Sequence, residues 1–265
     1  MHPSRFSFAV MEGKVDEAVE ILRTNPTVDV NWKNQGQENW AALHYACQTN
    51  RVSLVALLLA HPCVDVNLEN YHRGTPFSCA CANGNTACVR LLLKDPRVIV
   101  REMADYGETT LRLTAFYGEL DVLKRWIASG REVDLGEPGN DRTDAIDAAE
   151  KENRTDVVTL LKRFKEDPGN IRSELRVELG WYDELAAELF ALIVFVSDGL
   201  LQTGKEVQVH TPAARFFAIA NRLPLELQMV LCRVAAGRPQ GNILTKHREP
   251  AFKFLAMKYF FWLKV

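Results

Sequence analysis

The 265-residue chain has little charge to spare: 32 basic against 34 acidic residues leave a net charge of -2, so no polyanion partner is implied and nucleic acid is not expected. Six cysteines are too few and too scattered for a disulfide framework, and Cys79-Ala-Cys81 lacks the two-residue gap of a zinc knuckle. The longest purely apolar run, Leu189 to Val196, covers eight residues, where a membrane span needs about 20. No phosphate-cradling glycine loop, His-Glu-x-x-His or Gly-x-Ser-x-Gly occurs. An enzyme whose C-terminal domain is catalytic is the last-ranked alternative, because beyond position 167 only His210, Cys232, His247 and scattered carboxylates are available and none sits in a recognisable activated arrangement. No charged-then-apolar leader opens the sequence. These absences lead to an intracellular, cytoplasmic protein, not an enzyme, with no metal, no cofactor, no nucleic acid and no membrane.

What is present is a repeat. Ala9-Val-Met-Glu-Gly13 returns as Ala46-Cys-Gln-Thr-Asn50, Ala80-Cys-Ala-Asn-Gly84, Thr114-Ala-Phe-Tyr-Gly118 and Ala149-Glu-Lys-Glu-Asn153, at intervals of 37, 34, 34 and 35 residues. Glycine and asparagine tolerate the left-handed backbone that ends one helix and starts a turn. Five residues on stand Ala18, Val55, Val89, Leu123 and Val158, and eight on stand Ile21, Leu58, Leu92, Trp126 and Leu161. That spacing gives a second helix one buried face. Between units lie Val28-Asp-Val-Asn31, Val64-Asp-Val-Asn67, Val98-Ile-Val100 and Val133-Asp-Leu135, which read as extended arms joined by turns. Units of this period cannot bury their apolar faces alone, so they stack into one long core.

These motifs resemble the ankyrin repeat. The family pattern is met by Thr75-Pro-Phe-Ser-Cys-Ala80 to Gly84, by Leu43-His-Tyr-Ala46 to Asn50, and by Gly107-Glu-Thr-Thr-Leu-Arg-Leu-Thr114 to Gly118, with Leu57-Leu-Leu59 and Leu91-Leu-Leu93 in the second helices. The resemblance implies an all-α ankyrin-repeat solenoid over 1–166, with units one and five terminal, followed by a small helical domain over 167–265. It places His44 where an imidazole bonds loop backbone, and the register assigns Cys47, Cys81 and Cys88 to small or apolar core positions.

In that family, partners lie across the hairpin tips and inner helices, so the resemblance implies an adaptor that captures a protein there. Carried over by register, the candidate surface is Gln37, Glu38, Trp40, Tyr71, His72, Asp105, Tyr106, Glu108, Phe116 and Tyr117. Several aromatics at nominally exposed positions suit a docking face, since aromatics dominate binding hot spots; Trp40 and Tyr106 also read as side chains folded over their own loops. Residues 1–167 hold 25 acidic and 20 basic residues, which favours a partner with a basic surface. The chain is expected to be monomeric.

The tail opens at Asp167-Pro-Gly-Asn170, a cluster of turn formers. Helices are expected from Trp181 to Val196, from Ala213 to Asn221 after Thr211-Pro212, from Leu223-Pro224 to Val234, and from Ala251 to Leu263 after Glu249-Pro250. Leu223-Pro-Leu-Glu-Leu227 with Val230-Leu231 is similar to the start of an F-box, which implies a substrate receptor for a cullin ubiquitin ligase. The F-box's second Leu-Pro and Asp-Leu element is absent, and the reading preferred for the same residues is a proline-started helix buried in the tail's core.

Overall fold

The structure is a computed structural model that describes residues 5–100, 108–198, 216–217, 219–220, 222–237 and 243–259. The chain divides into two compact units, Met1–Leu175 and Arg176–Val265. The described residues are helical and turn-rich and contain no strand. In the first unit the helices come in pairs: α1 (Arg5–Met11) with α2 (Val15–Thr24), α3 (Ala42–Gln48) with α4 (Val52–Ala60), α5 (Pro76–Ala82) with α6 (Thr86–Lys94), α7 (Thr110–Tyr117) with α8 (Leu120–Ser129), and α9 (Ala145–Lys151) with α10 (Thr155–Glu166).

The recurring phrase is the joint between the members of each pair. Gly13, Asn50, Gly84, Gly118 and Asn153 all adopt left-handed backbone, with φ from 55° to 80°. The next residue's N–H then donates back to the carbonyl five positions earlier, as Lys14 to Ala9, Arg51 to Ala46, Asn85 to Ala80, Glu119 to Thr114 and Arg154 to Ala149, at 2.8–3.0 Å. This is the Schellman closure that satisfies an otherwise orphaned helix carbonyl. The accepting residue is small because it is fully buried in every unit. The joint therefore fixes both the chain reversal and the closeness of the neighbouring unit.

The second helices bury the expected face in the middle of the array. Val55, Leu58, Val89, Leu92 and Leu123 are fully enclosed, and Trp126 is 2% exposed, its ring 4.9 Å from that of Phe77. Each such side chain contributes about 1.5–3 kcal/mol of burial. At the ends the buried face narrows. Ile21 and Val158 are only half-buried, while Ala18, Leu22, Val157 and Leu161 stay buried like their counterparts in the middle units. A terminal unit has a repeat on one side only, so the buried stripe of its second helix is narrower.

The arms run through side chains rather than strands. Asp29 and Asp65 each accept the N–H two residues on, turning Asn31 and Asn67 toward the following arm. Asn31 then donates to the Cys63 carbonyl at 2.7 Å and accepts from the Asp65 N–H at 2.8 Å. Asn67 repeats the contact with Arg97 and Ile99. Two bonds from one amide do what a strand pair would have done, while Val30, Val66, Val98 and Val100 fill the space beneath. Arginines add a second tie: Arg97 donates to the Leu59 carbonyl, and Arg131 to those of Asp95 and Val98.

Asp167-Pro-Gly-Asn170 proves to be a helix start. Asp167 accepts from the Asn170 N–H, and Pro168 opens α11 (Pro168–Glu178). Ile171 and Leu175 of α11 are buried, and Arg172 donates to the Ile127 carbonyl, so the first unit runs on to Leu175.

The second unit holds α12 (Trp181–Ser197), α13 (Leu225–Ala235) and α14 (Thr245–Tyr259) around Phe190, Ile193, Phe195, Cys232, Ile243 and Leu255, with Phe252 meeting Phe190 edge to face and Phe195 at a tilt. α12 runs one residue past the expected Val196, with Asp198 as its C-cap, and Gly237 takes left-handed backbone beyond α13. The last helix begins earlier than its proline suggested, with Pro250 inside it. Thr211-Pro212, His210 and Trp262 lie outside the described residues.

The loop before α9 offers a clean test of backbone strain. Gly136 and Gly139 both have φ near 80°, but a Cβ on Gly136 would stand 2.0 Å from the Thr143 carbonyl oxygen, whereas one on Gly139 meets nothing within 4 Å. Gly139→Ala is expected to cost about 1–2 kcal/mol for the backbone alone. Gly136→Ala costs clearly more, read as the larger drop in urea midpoint.

Candidate protein-binding surface

The inner helices α1, α3, α5, α7 and α9 all start on the same register, and the caps of the last four are described. Thr75 Oγ1 accepts from the Ser78 N–H while Ser78 Oγ accepts from the Thr75 N–H, a reciprocal capping box in front of Pro76. Thr109 accepts from the Arg112 N–H, and Asp144 accepts from the N–H groups of Ile146 and Asp147. Ala41 has no cap of its own, so His44 supplies one: its Nδ1 accepts from the Ala41 N–H at 3.2 Å, and its Nε2 lies 3.1 Å from the Gly74 carbonyl. With Nδ1 accepting, Nε2 carries the proton and donates. His44 is thus a neutral strut that ties the start of α3 to the following tip, the role its slot implied.

The tip before α3 is a tight loop closed by Asn34, whose N–H donates to the Trp40 carbonyl and whose carbonyl accepts from the Asn39 N–H. Glu38 and Asn39 both take left-handed backbone, at φ 51° and 59°. For Glu38 that conformation costs about 1–2 kcal/mol. The next tip is organised by Asn70, 7% exposed, whose Oδ1 accepts from the His72 and Gly74 N–H groups. The two tips are joined: the Tyr71 N–H donates to the Glu38 carbonyl at 2.8 Å, and His72 Nε2 stands 3.4 Å from Glu38 Oε1.

Five of the candidate residues therefore gather at these two tips. Gln37 Oε1 accepts from the Tyr45 hydroxyl and from Asn34. Trp40 is half-buried and packs on Tyr45 and His44, with ring centroids 5.3 and 5.8 Å apart, so it also covers its own loop. Tyr71 is 73% exposed, the most open large hydrophobic side chain among the described residues, and meets His72 edge to face. Glu108, Phe116 and Tyr117 form a second group. Arg112 pairs with Glu108 at 2.7 Å and lies 5.9 Å over the Phe116 ring, and Tyr117 is 48% exposed beside it. Asp105 and Tyr106 lie outside the described residues.

Register alone missed Tyr45 and Arg112. Each links two candidate residues, Tyr45 joining Trp40 to Gln37 and Arg112 joining Glu108 to Phe116. The signal was available: Tyr45 occupies the position of Phe8, which is 47% exposed in the first unit.

The tempting cysteines are core. Cys47, Cys81 and Cys88 are enclosed and Cys79 nearly so. Burial pushes the Cys47 and Cys81 thiols well up and that of Cys88 to about 11, which keeps them protonated and unreactive. Among the described residues no helix is long and apolar enough to cross a membrane.

Known proteins agree with this geometry. The sequence model of the family described as Ankyrin repeats (3 copies) matches residues 6–102. The chain is 32% identical over 105 residues to the SMC5-SMC6 complex localization factor protein 1 of Homo sapiens, covering 39% of this chain and 10% of that protein. It is 37% identical over 87 residues to the I-Kappa-B like protein C2 of Microplitis demolitor bracovirus, covering 32% and 48%. A 60 kDa lysophospholipase of Mus musculus is 30% identical over 136 residues, covering 38% and 24%. The chain thus spans between a tenth and about half of the length of these relatives.

Burial holds the His44 pKa down from 6.5 to about 4, so between those values the unfolded chain binds the extra proton. Its stabilising contribution is complete above pH 6.5 and is lost as the pH falls toward 4. Native protein is expected to lose about 2 kcal/mol from this residue between pH 7 and pH 5. His44→Asn, measured by urea unfolding at both pH values, should lack that share of the slope; an equal slope in both proteins contradicts it. The left-handed joints, the His44 strut and the family match converge on one assignment: residues 6–102 of this chain are ankyrin repeats, a protein-protein interaction module.

Proposed function

We propose that the chain is a non-enzymatic adaptor whose repeats capture another protein on the hairpin tips and inner helices. The observation that carries the reading is Tyr71, 73% exposed on a tip whose backbone is pinned to Glu38 and whose turn is locked by Asn70. An aromatic ring held open on a rigid support binds with little further loss of entropy. The acidic excess over 1–167 supports a partner with a basic surface. The repeat fold is generally non-catalytic, and a match to 24% of a protein named for lysophospholipase activity brings no chemistry to these residues. The chain is taken to act as an intracellular monomer.

One observation favours a second reading, a substrate receptor for a cullin ubiquitin ligase. The helix start at Leu223 is only partly buried: Leu225 is 55% exposed, Leu227 50% and Val230 46%, while Gln228 and Cys232 are buried and Leu231 packs on the core. Leu225, Leu227 and Val230 of the F-box-like phrase therefore stand open to a partner, while the polar Gln228, held by the Leu223 carbonyl, is the side chain that α13 buries.

Affinity capture from cell lysate tests both readings. Tyr71→Ser combined with Tyr117→Ser, both exposed and outside the stacking core, should cut partner recovery about tenfold, the loss of roughly 1.4 kcal/mol. Undiminished recovery would falsify the tip reading. Cullin components recovered with the native chain and lost with Leu227→Lys would install the second reading; their absence removes it.

A further inference from the structure

We infer that the array carries a conformational device at its middle junction: Glu119 straps the end of α5 with a carboxylate where the neighbouring straps offer donors, and its ionisation loosens that junction. The residue after each joint is the N-cap of the following helix, yet Arg51, Asn85, Glu119 and Arg154 make no side-chain hydrogen bond to their own helices. Their side chains reach back one unit instead, over the preceding joint. Asn85 Nδ2 donates to the Cys47 and Gln48 carbonyls, both at 2.8 Å. Arg154 Nε donates to the Phe116 carbonyl at 3.2 Å, and its Cδ stands 2.7 Å from where a Cβ on Gly118 would be. The Arg51 guanidinium covers Gly13 in the same way. Lys14, in the first unit, turns to Phe8 and Glu17 beside it.

Three of these straps suit what they cover. The last carbonyls of a helix lack intrahelical donors, and an amide or guanidinium supplies them. Glu119 is the exception. Its carboxylate lies over Gly84, and by register it faces the carbonyl of Ala82, the counterpart of Gln48 and Phe116. Acceptor then meets acceptor, and the carboxylate takes no hydrogen bond from any described residue.

The charged and titratable groups around it are Arg154 ahead of α10, Asp121 on α8 and the buried Cys81 thiol of α5. Burial raises the Glu119 pKa above its usual 4.5, with Arg154 opposing and Asp121 adding. The stability this group contributes is therefore fully present below 4.5 and is lost as the pH rises through the raised value. Once protonated, the carboxyl has an O–H to donate, and the strap matches its neighbours. The junction stands between the two groups of candidate residues, Gln37 to His72 on one side and Glu108, Phe116 and Tyr117 on the other. In neutral solution those groups are thus joined through a loosened tie, at which they can shift against each other.

Urea unfolding and native-state hydrogen exchange of the full-length chain test this. Glu119→Gln keeps the shape and adds a donor, so it should raise the urea midpoint at pH 7, with the gain vanishing as the pH falls toward 4.5. At pH 7 the same variant should protect the Asn85 amide, which closes the joint under this strap, about fivefold more and leave the Arg51 amide unchanged. Asn85→Ala should act in reverse one unit earlier, lowering Arg51 protection about fivefold. A Glu119→Gln gain that is equal at every pH, a loss of stability at pH 7, unchanged Asn85 protection, or an Arg51 amide indifferent to Asn85→Ala would overturn the inference. Neither measurement uses a partner, so such a result leaves the capture reading standing.

Discussion

A helix that ends with a left-handed residue can reverse the chain within two positions, and five such reversals set everything else in the first unit. Because Gly13, Asn50, Gly84, Gly118 and Asn153 share one backbone conformation and one closing hydrogen bond, every second helix leaves its joint in the same direction. Equivalent faces then meet from unit to unit, and the small residue that accepts the closing bond lets them meet closely. The Asn31 and Asn67 amides and the Arg97 and Arg131 guanidiniums work only because that register has already placed carbonyls and N–H groups opposite them.

The same constraint divides the molecule's chemistry. Positions turned into the stack are closed to function, which is why Cys47, Cys81 and Cys88 are inert and His44 is a neutral strut. Positions just before each joint, and on the tips beyond each N-cap, are free of stacking and can vary. Tyr71 and Tyr117 lie there. The surface that distinguishes this chain is thus a by-product of the regularity beneath it.

Much of this was legible in the residues. The phrase located every joint, and its Gly or Asn named the backbone state in advance. The middle second helices followed, since their 3.6-residue spacing is undisturbed. The end units were less legible: Ile21 and Val158 hold the repeat position yet lose burial, because burial there depends on a missing neighbour rather than on the helix. The arms looked extended, but asparagine side chains replace strand pairing there, through contacts between units that no local pattern announces. Asp167-Pro-Gly-Asn170 reads as a turn in isolation, but proline at the first helical position serves a start as readily as a stop. At the candidate surface, register found the tips but not Tyr45 or Arg112, whose importance lies in contacts between units. In the second unit Leu225 and Leu227 looked like core, because hydrophobicity does not say which face of a lone helix is covered.

Native-state hydrogen exchange on the full chain measures most directly whether neighbour contact, set by the joints, holds the array together. Each interior unit is gripped from two sides and each terminal unit from fewer. Amides of α3 to α8 should therefore exchange slowest, with α1 and α2 opening first and at lower free energy. Equal protection of all five pairs, or earliest opening in α5 and α6, would contradict a stack built on nearest-neighbour contacts.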